Sequence, residues 1–429
     1  MSKIQVNKSK LKGIVKIPPS KSMAHRAIIC AALGSGVSVI DNVDYSDDII
    51  ATINGMTSLG ANIEKNEDKL VITGVFNKNN RRDPIRVIDC NESGSTLRFL
   101  VPIALLFDGI TKFVGKGNLG KRPLDIYYDI FKKQEISFNA ASNKLNLIVK
   151  GRLKKGEFYL PGNISSQFIT GLLFTLPLLD GDSKIIITTE LESKGYIDLT
   201  LDCIRDFGVV IENNNYNEFI IKGNQSYNSR NYRVEGDYSQ GAFYLCADAL
   251  GSEVEIMDLK KESLQGDKEV IDILERMGNR FAFKENLKCI VDKELVATVI
   301  DGSQCPDIIP IISLVAALSK GRTEIINAGR LRIKECDRLK AVATELNKLG
   351  AKIEEKEDGL VIDGIEELNG GVEVWSWKDH RIAMTLAIAA TRCKEPIIIK
   401  DYECVAKSYP RFFEDYKRLG GDINERDFW

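Results

Sequence analysis

KLGAKIEEKEDGLVIDG, residues 348–364, reads as the last turn of an amphipathic helix, a glycine, and two short alternating strands. Glycine at that point suits the left-handed backbone that stops a helix. The alternation after it suits a hairpin with one buried face. The phrase returns as SLGANIEKNEDKLVITG (58–74), DFGVVIENNNYNEFIIKG (206–223) and RMGNRFAFKENLKCIVD (276–292). A weaker copy, KQEISFNAASNKLNLIVKG (133–151), has Glu135 in the glycine's place, and a truncated one, RLGGDINE, spans 418–425. Successive markers lie 70–75 residues apart.

A second phrase recurs in the other phase: a short polar stretch that opens an apolar helix. Its copies are SKSMAHRAIICAAL (20–33), SGSTLRFLVPIALL (93–106), SSQFITGLLFTLPLL (165–179), DYSQGAFYLCADAL (237–250), PDIIPIISLVAAL (306–318) and KDHRIAMTLAIAA (378–390). A helix apolar nearly all round belongs in a core. Each unit therefore reads as strand, buried helix, strand, amphipathic helix, hairpin. Six such units, about 72 residues each, give an α/β protein of two similar domains, each of three βαβαββ repeats. A solenoid is the weaker alternative, because buried helices sheathed by others imply compact bodies rather than a linear stack. The polar, turn-rich stretch GNQSYNSRNYRVEGD (223–237) puts a boundary near 230–236.

The 59 basic and 61 acidic residues nearly cancel, to a net charge of −2. That balance excludes the footprint of a nucleic-acid binder, so any anion site must be a local cluster. The start, MSKIQVNKSK, lacks the apolar core of a signal peptide. The run IIPIISLVAAL (308–318) falls well short of the ~20 residues that span a bilayer. Nine cysteines, scattered singly, fit a reduced cytoplasm, and with only His25 and His380 no zinc site is expected.

Buried helices that are copies of one unit enter their cores in the same sense, so their N-termini point the same way. Each end offers unpaired N–H groups and about half a positive charge, which favours anions. The residues at those ends match. Lys21, Ser22 and Arg26 open the first helix; Gly94, with Ser93, Ser95 and Arg98, the second; Ser165, Ser166 and Gln167 the third; Asp307 the fifth; Asp379, His380 and Arg381 the sixth. The amphipathic helices add Arg122, Ser193, Lys334, Glu335, Arg338 and Lys407. Any one of these has an ordinary reading: Ser and Asp are common helix caps, KECDRLK alone is a solvated helical face, and His25 and His380 alone are structural histidines. The recurrence of eight cations at equivalent places favours an anion site. GKGNLGKR (115–122) matches GxGxxG, but Arg122 stands where a P-loop needs a hydroxyl, and no acidic residue follows at Rossmann spacing.

The stretches PPSKSMAHR, SGSTLRFL, KRPLD, ISSQFITGLL, ESKGYIDLTL, EGDYSQGAF, PDIIP, KECDRLKAVATEL, KDHRIAMTLA and AKSYPRFFED, in this order, resemble the 5-enolpyruvylshikimate-3-phosphate synthase family over nearly the whole chain. The resemblance implies the enolpyruvyl-transferase fold, an inside-out, α/β barrel-like arrangement. It implies domains of 17–233 and of 1–16 plus 234–429, with the site in the cleft between them. It also implies transfer of the enolpyruvyl group of phosphoenolpyruvate to the 5-hydroxyl of shikimate 3-phosphate through a tetrahedral intermediate.

Carried over by position, Lys21, Ser22, Arg26, Ser165, Ser166, Gln167, Ser193, Asp307 and Lys334 would hold shikimate 3-phosphate. Lys21, Gly94, Arg122, Gln167, Arg338, Arg381 and Lys407 would surround phosphoenolpyruvate. Asp307 as base, Glu335 as acid and Lys21 as stabiliser would carry the chemistry, with no metal and no cofactor. His25 and Arg330 depart from the family's frequent asparagines, and Arg330 puts one ring contact in doubt. A cytoplasmic monomer without nucleic-acid or membrane partners is the family expectation. Two rivals remain: a transferase acting on UDP-N-acetylglucosamine, which usually has Lys-Asn for Lys21-Ser22 and a cysteine missing from TKFVGKGNLGKRP (111–123), and a non-catalytic anion binder, against which the carboxylates Asp307 and Glu335 speak.

Overall fold

The computed structural model describes residues 2–77, 84–140, 144–283, 286–290 and 294–425. The predicted hairpin turns at 141–143 and 284–285 lie outside the described residues, as do 291–293. The chain forms two compact units, one of residues 19–235 and one of residues 1–18 with 236–429.

The first unit carries α1 (Lys21–Ala32), α2 (Asp47–Ser58), α3 (Gly94–Ala104), α4 (Asp125–Lys133), α5 (Ser166–Thr175) and α6 (Lys194–Asp206). The second carries α7 (Tyr238–Ala249), α8 (Glu269–Arg276), α9 (Ile309–Ala317), α10 (Arg338–Lys348), α11 (His380–Ala390) and α12 (Phe412–Arg418). The odd-numbered helices form the cores: α9 and α11 are buried along their whole length, and α5 along all but Gln167. The even-numbered helices bury one stripe, as in α8, where Val270, Ile271, Ile273 and Leu274 face inward. This split follows from composition, since a helix without a polar face gains from burial on every side.

Among the described residues six four-stranded sheets, one per repeat, share one order. The strand before a core helix runs parallel to the strand after it, as Ile85–Asp89 does with Ile110–Val114. The latter pairs antiparallel with Asn146–Lys150, which pairs with Ser137–Ala140 at the edge. Among the described residues no sheet closes on itself into a strand barrel. The helix-stopping residues are left-handed in all six repeats: Gly60, Gly208, Gly278, Gly350 and Gly420 have φ between 87° and 108°. Glu135 holds φ 58° without a glycine, a conformation that costs an L-residue roughly 1–2 kcal/mol.

Two sheets are completed by strands that chain order does not suggest. Lys12–Lys16 leads into α1, yet it pairs in parallel with Glu253–Met257, the strand after α7. The strand after α1, Val37–Asp41, takes Asn231–Arg233 as its parallel neighbour instead. The truncated sixth repeat is completed by Lys3–Val6, which lies antiparallel between Ile397–Lys400 and Ile423–Glu425.

Candidate active site

In the first unit, the polar residues that start α1, α3 and α5 form one bonded group with the start of α6. Ser20 caps α1 by accepting from Met23 N at 3.4 Å, which leaves Lys21 as the first helical residue. Lys21 Nζ reaches Asp48 Oδ2 at 2.8 Å, on the first turn of α2. Arg26, 3% exposed, spends its guanidinium on Thr200 Oγ1 (2.8 Å), Ser22 O (2.6 Å) and Tyr196 O (2.9 Å), tying α1 to α6. Burial drags its pKa down to about 10, so it stays a cation at neutral pH.

Gly94 begins α3 behind the cap Ser93. A Cβ at this position would lie 2.6 Å from Arg122 Nη1 and 3.5 Å from both Arg98 Nη1 and Gln167 Oε1. Glycine thus admits two guanidinium groups and an amide to the backbone at one helix end. Arg98 donates to Gln167 Oε1 at 2.7 Å, and Gln167 Nε2 donates to Ser95 at 2.9 Å, which joins α3 to α5. Ser165 caps α5 by accepting from Gln167 N, with Ser166 buried beside it. Ser193, 1% exposed, sits just before α6 with φ 56°, a strained setting for a serine.

In the second unit, Asp307 lies in the turn before α9 and is held by three cations. Arg338 Nη1 is at 2.8 Å, Arg381 Nη2 at 3.1 Å and Lys334 Nζ at 3.4 Å. Burial alone would raise the Asp307 carboxyl, but Arg381, Lys334 and Arg338 outweigh it and hold the group well below the usual range. Glu335 accepts from Arg338 Nη2 at 2.7 Å, with Lys407 Nζ 3.6 Å away. Arg338, 1% exposed, also reaches Asp379 Oδ2 at 2.8 Å. Despite the burial that opposes it, the charges of Asp379, Glu335 and Asp307 push the Arg338 pKa well up. Asp379 caps α11 through Arg381 N at 2.9 Å, so one carboxylate holds the Arg338 guanidinium and the Arg381 backbone. Lys334 is pulled below its ordinary value by burial, against the charge of Asp307, with Arg330 and Arg338 adding to the depression.

Each predicted site residue thus falls into one of two groups: Lys21, Ser22, Arg26, Gly94, Arg122, Ser165, Ser166, Gln167 and Ser193 in the first unit, and Asp307, Lys334, Glu335, Arg338, Arg381 and Lys407 in the second. KECDRLK is not a helical face: Asp337 caps α10 by accepting from Lys340 N at 3.1 Å, which leaves Lys334 and Glu335 in the preceding turn. His25 is structural, with Nδ1 2.7 Å from Thr52 Oγ1 and a pKa lowered by burial to about 3. Sequence reasoning missed Asp48, Thr200 and Asp267. Asp48 carried a signal as one of two acids opening a helix. Asp267 is buried, bonded to Ser239 Oγ, and raised to about 6 by burial and then by the charge of Asp307.

Among the described residues no group of three His, Cys, Asp or Glu side chains is arranged to hold a metal ion, and no helix is long and apolar enough to cross a membrane. The nine cysteines are free thiols. Chemically, both groups are clusters of cations at or near helix starts. The second also holds Asp307 and Glu335 beside those cations, besides the capping Asp379, and this suits proton transfer next to a bound anion.

The chain is 68% identical to a 3-phosphoshikimate 1-carboxyvinyltransferase of Clostridium beijerinckii over 430 residues, covering 99% of each. It is 65% identical to the protein so named from Clostridioides difficile over 432 residues, again covering 99% of each. In fold it is similar to an EPSP synthase from Acinetobacter baumannii, with a TM-score of 0.83 at 24% identity and all of both chains covered. The enolpyruvyl transferase NikO from Streptomyces tendae follows at a TM-score of 0.78 and 16% identity, covering 99% of this chain and 98% of that one. The profile of EPSP synthase (3-phosphoshikimate 1-carboxyvinyltransferase) matches residues 6–416, and with these full-length relatives it makes the chain a member of the EPSP synthase family.

Proposed function

We propose that the chain transfers the 1-carboxyvinyl group of phosphoenolpyruvate to the 5-hydroxyl of 3-phosphoshikimate and releases phosphate. The observation that carries the reading is Asp307 among Arg338, Arg381 and Lys334, with Glu335 on the same arginine. A pure anion binder gains nothing from two carboxylates that compete with its ligand for cations.

The substrates bring roughly five to six negative charges, which the two groups of cations and the helix ends offset without a metal ion. Ser22, Arg26, Ser165, Ser166, Ser193, Asp307 and Lys334 are assigned to 3-phosphoshikimate. Gly94, Arg122, Arg338, Arg381 and Lys407 are assigned to phosphoenolpyruvate, and Lys21 and Gln167 touch both. Asp307 takes the proton of the 5-hydroxyl as its oxygen bonds to C2 of phosphoenolpyruvate. Glu335 gives a proton to C3, and Lys21 stabilises the charge that develops. The tetrahedral adduct then breaks its bond from C2 to the phosphate oxygen, the departing phosphate takes the proton held by Asp307, and C3 returns a proton to Glu335.

The charge balance supports a coupling of binding to basicity. In the free chain Asp307 is held low by three cations. An arriving phosphoenolpyruvate carboxylate or phosphate draws on the same donors, which raises the basicity of Asp307 once substrate is present.

Phosphate release tests the reading. Activity with 3-phosphoshikimate plus phosphoenolpyruvate, and none with UDP-N-acetylglucosamine plus phosphoenolpyruvate, is the expected result; the reverse pattern, or no release with either pair, refutes it. The family likeness also supports a cytoplasmic monomer, which light scattering would show as a single-chain mass.

A further inference from the structure

The three cations assigned to phosphoenolpyruvate in the second unit stand on three elements. Arg338 is the first residue of α10, Arg381 is the second of α11, and Lys407 ends the 3-10 helix Tyr402–Lys407. One short segment, Trp375–Lys378, the end of the strand Glu373–Trp375 and the turn after it, is bonded to all three elements.

Toward α10, the buried carboxylate of Glu345 accepts from Trp375 N at 3.0 Å and from Trp377 Nε1 at 2.8 Å, with Lys348 Nζ at 2.8 Å. Toward the 3-10 helix, Asp401 precedes Tyr402 with φ 54°. It accepts from Trp375 Nε1 at Oδ2 (2.9 Å) and from Ser376 Oγ at its carbonyl (3.1 Å). Toward α11, Ser376 O accepts from Asp379 N at 2.9 Å, and Asp379 in turn holds Arg338 and caps α11.

The turn is also strained. Trp377 and Lys378 are consecutive left-handed residues, φ 54° and 56°, and neither is a glycine. Such settings are strained for residues with a side chain and persist only where surrounding bonds over-determine them. Glu345, Asp401 and the stack of Trp375 on Trp377, 5.1 Å between ring centroids, are those bonds.

We infer that the Trp375–Lys378 turn, clamped between Glu345 and Asp401, is a positioning element that sets the mutual spacing of Arg338, Arg381 and Lys407. Glu345 and Asp401 are positioning residues that act through the turn. The inference rests on the reading of those three cations as phosphoenolpyruvate ligands. The turn also carries its own reporter, because Trp375 and Trp377 are two of the chain's three tryptophans.

The test uses the full chain with Trp429→Phe as background, so that emission comes from the turn alone. Glu345→Ala should raise the KM for phosphoenolpyruvate about ten- to hundredfold, the cost of lost hydrogen bonds to a charged group. The KM for 3-phosphoshikimate should stay within about threefold and emission should shift. Asp401→Ala should act in the same direction more weakly. Asp401→Asn should restore both readouts, because asparagine keeps an acceptor for Trp375 Nε1 and tolerates the left-handed backbone. A merely structural role would lower the active fraction and leave both KM values alone.

Equal rises in both KM values, or failure of Asp401→Asn to rescue, would overturn the inference, and the Asp401 pair decides it if Glu345→Ala does not fold. Emission and the rise in melting temperature on adding inorganic phosphate need no turnover. An inactive wild-type chain would therefore sink only the functional reading. Unchanged emission in the alanine variants, or an undiminished response to phosphate, would sink the clamp.

Discussion

Replacing Asp307 by alanine separates its two effects by sign. The carboxylate touches Arg338, Arg381 and Lys334 at 2.8, 3.1 and 3.4 Å. As the base for the 5-hydroxyl, its loss should lower kcat by about 10²- to 10⁴-fold, or roughly 2.7–5.5 kcal/mol of barrier. As a competitor for the cations, its loss should do the opposite to anion binding. One charge-assisted hydrogen bond freed for the ligand is worth about 1.5–3 kcal/mol, an upper bound of roughly ten- to hundredfold. The KM for phosphoenolpyruvate should therefore fall, by about tenfold, while turnover collapses. The same imbalance should lower the melting temperature in phosphate-free buffer, since three cations then face one another, and added phosphate should restore it. Initial rates of phosphate release over a grid of both substrates, with melting curves at several phosphate concentrations, measure all three quantities. A raised KM for phosphoenolpyruvate with kcat within about fivefold of wild type would refute both the base assignment and the competition.

Three further outcomes follow from the geometry. Thr200→Val removes the acceptor of Arg26 Nε, 2.8 Å away; steady-state kinetics should show the KM for 3-phosphoshikimate rising about three- to tenfold with little change for phosphoenolpyruvate. Gly94→Ala puts a methyl group 2.6 Å from Arg122 Nη1; the far end of that side chain can move, so melting should hardly change while the KM for phosphoenolpyruvate rises about tenfold. His25 has a folded pKa of about 3, below its unfolded value of about 6.5, so the unfolded chain binds the extra proton first. Its contribution to stability is full above pH 6.5 and is lost as pH falls toward 3, with a slope approaching about 1.4 kcal/mol per pH unit. Urea midpoints at pH 7, 5 and 4 should therefore fall more steeply for wild type than for His25→Gln; parallel slopes would contradict the assignment of His25 as a buried neutral ring.

The repeats were legible because their physics is local. A left-handed helix stop and a half-buried hairpin leave a glycine and an alternating pattern wherever they occur, and even the copy with Glu135 keeps the backbone conformation. Pairing partners were not legible. Lys12–Lys16 and Asn231–Arg233 are both short strands leading into core helices, and nothing in either says that it joins the sheet of the other's helix. The same divide runs through the site. Its cations stand at helix starts, where the repeat makes them countable. Much of what aims them is backbone or mid-helix: Tyr196 O and Thr200 for Arg26, Ser376 O and Glu345 for the tryptophan turn. Those partners carry no sequence signal, because any residue supplies a carbonyl and a mid-helix glutamate reads as solvated. The misreading of KECDRLK has the same source, since a cap by Asp337 and a helical face with i,i+3 pairs look alike in one dimension.

The strand Lys3–Val6 has a consequence for how the molecule is assembled. It has no sheet to join until Ile397–Lys400 has been made, whereas residues 19–235 form a contiguous unit that depends on no later segment for its own sheets. During synthesis the inserted unit can therefore compact while the opening strands wait unpaired. Closing the discontinuous unit then brings together residues from opposite ends of the chain, a pairing of far higher contact order than the hairpins within each repeat.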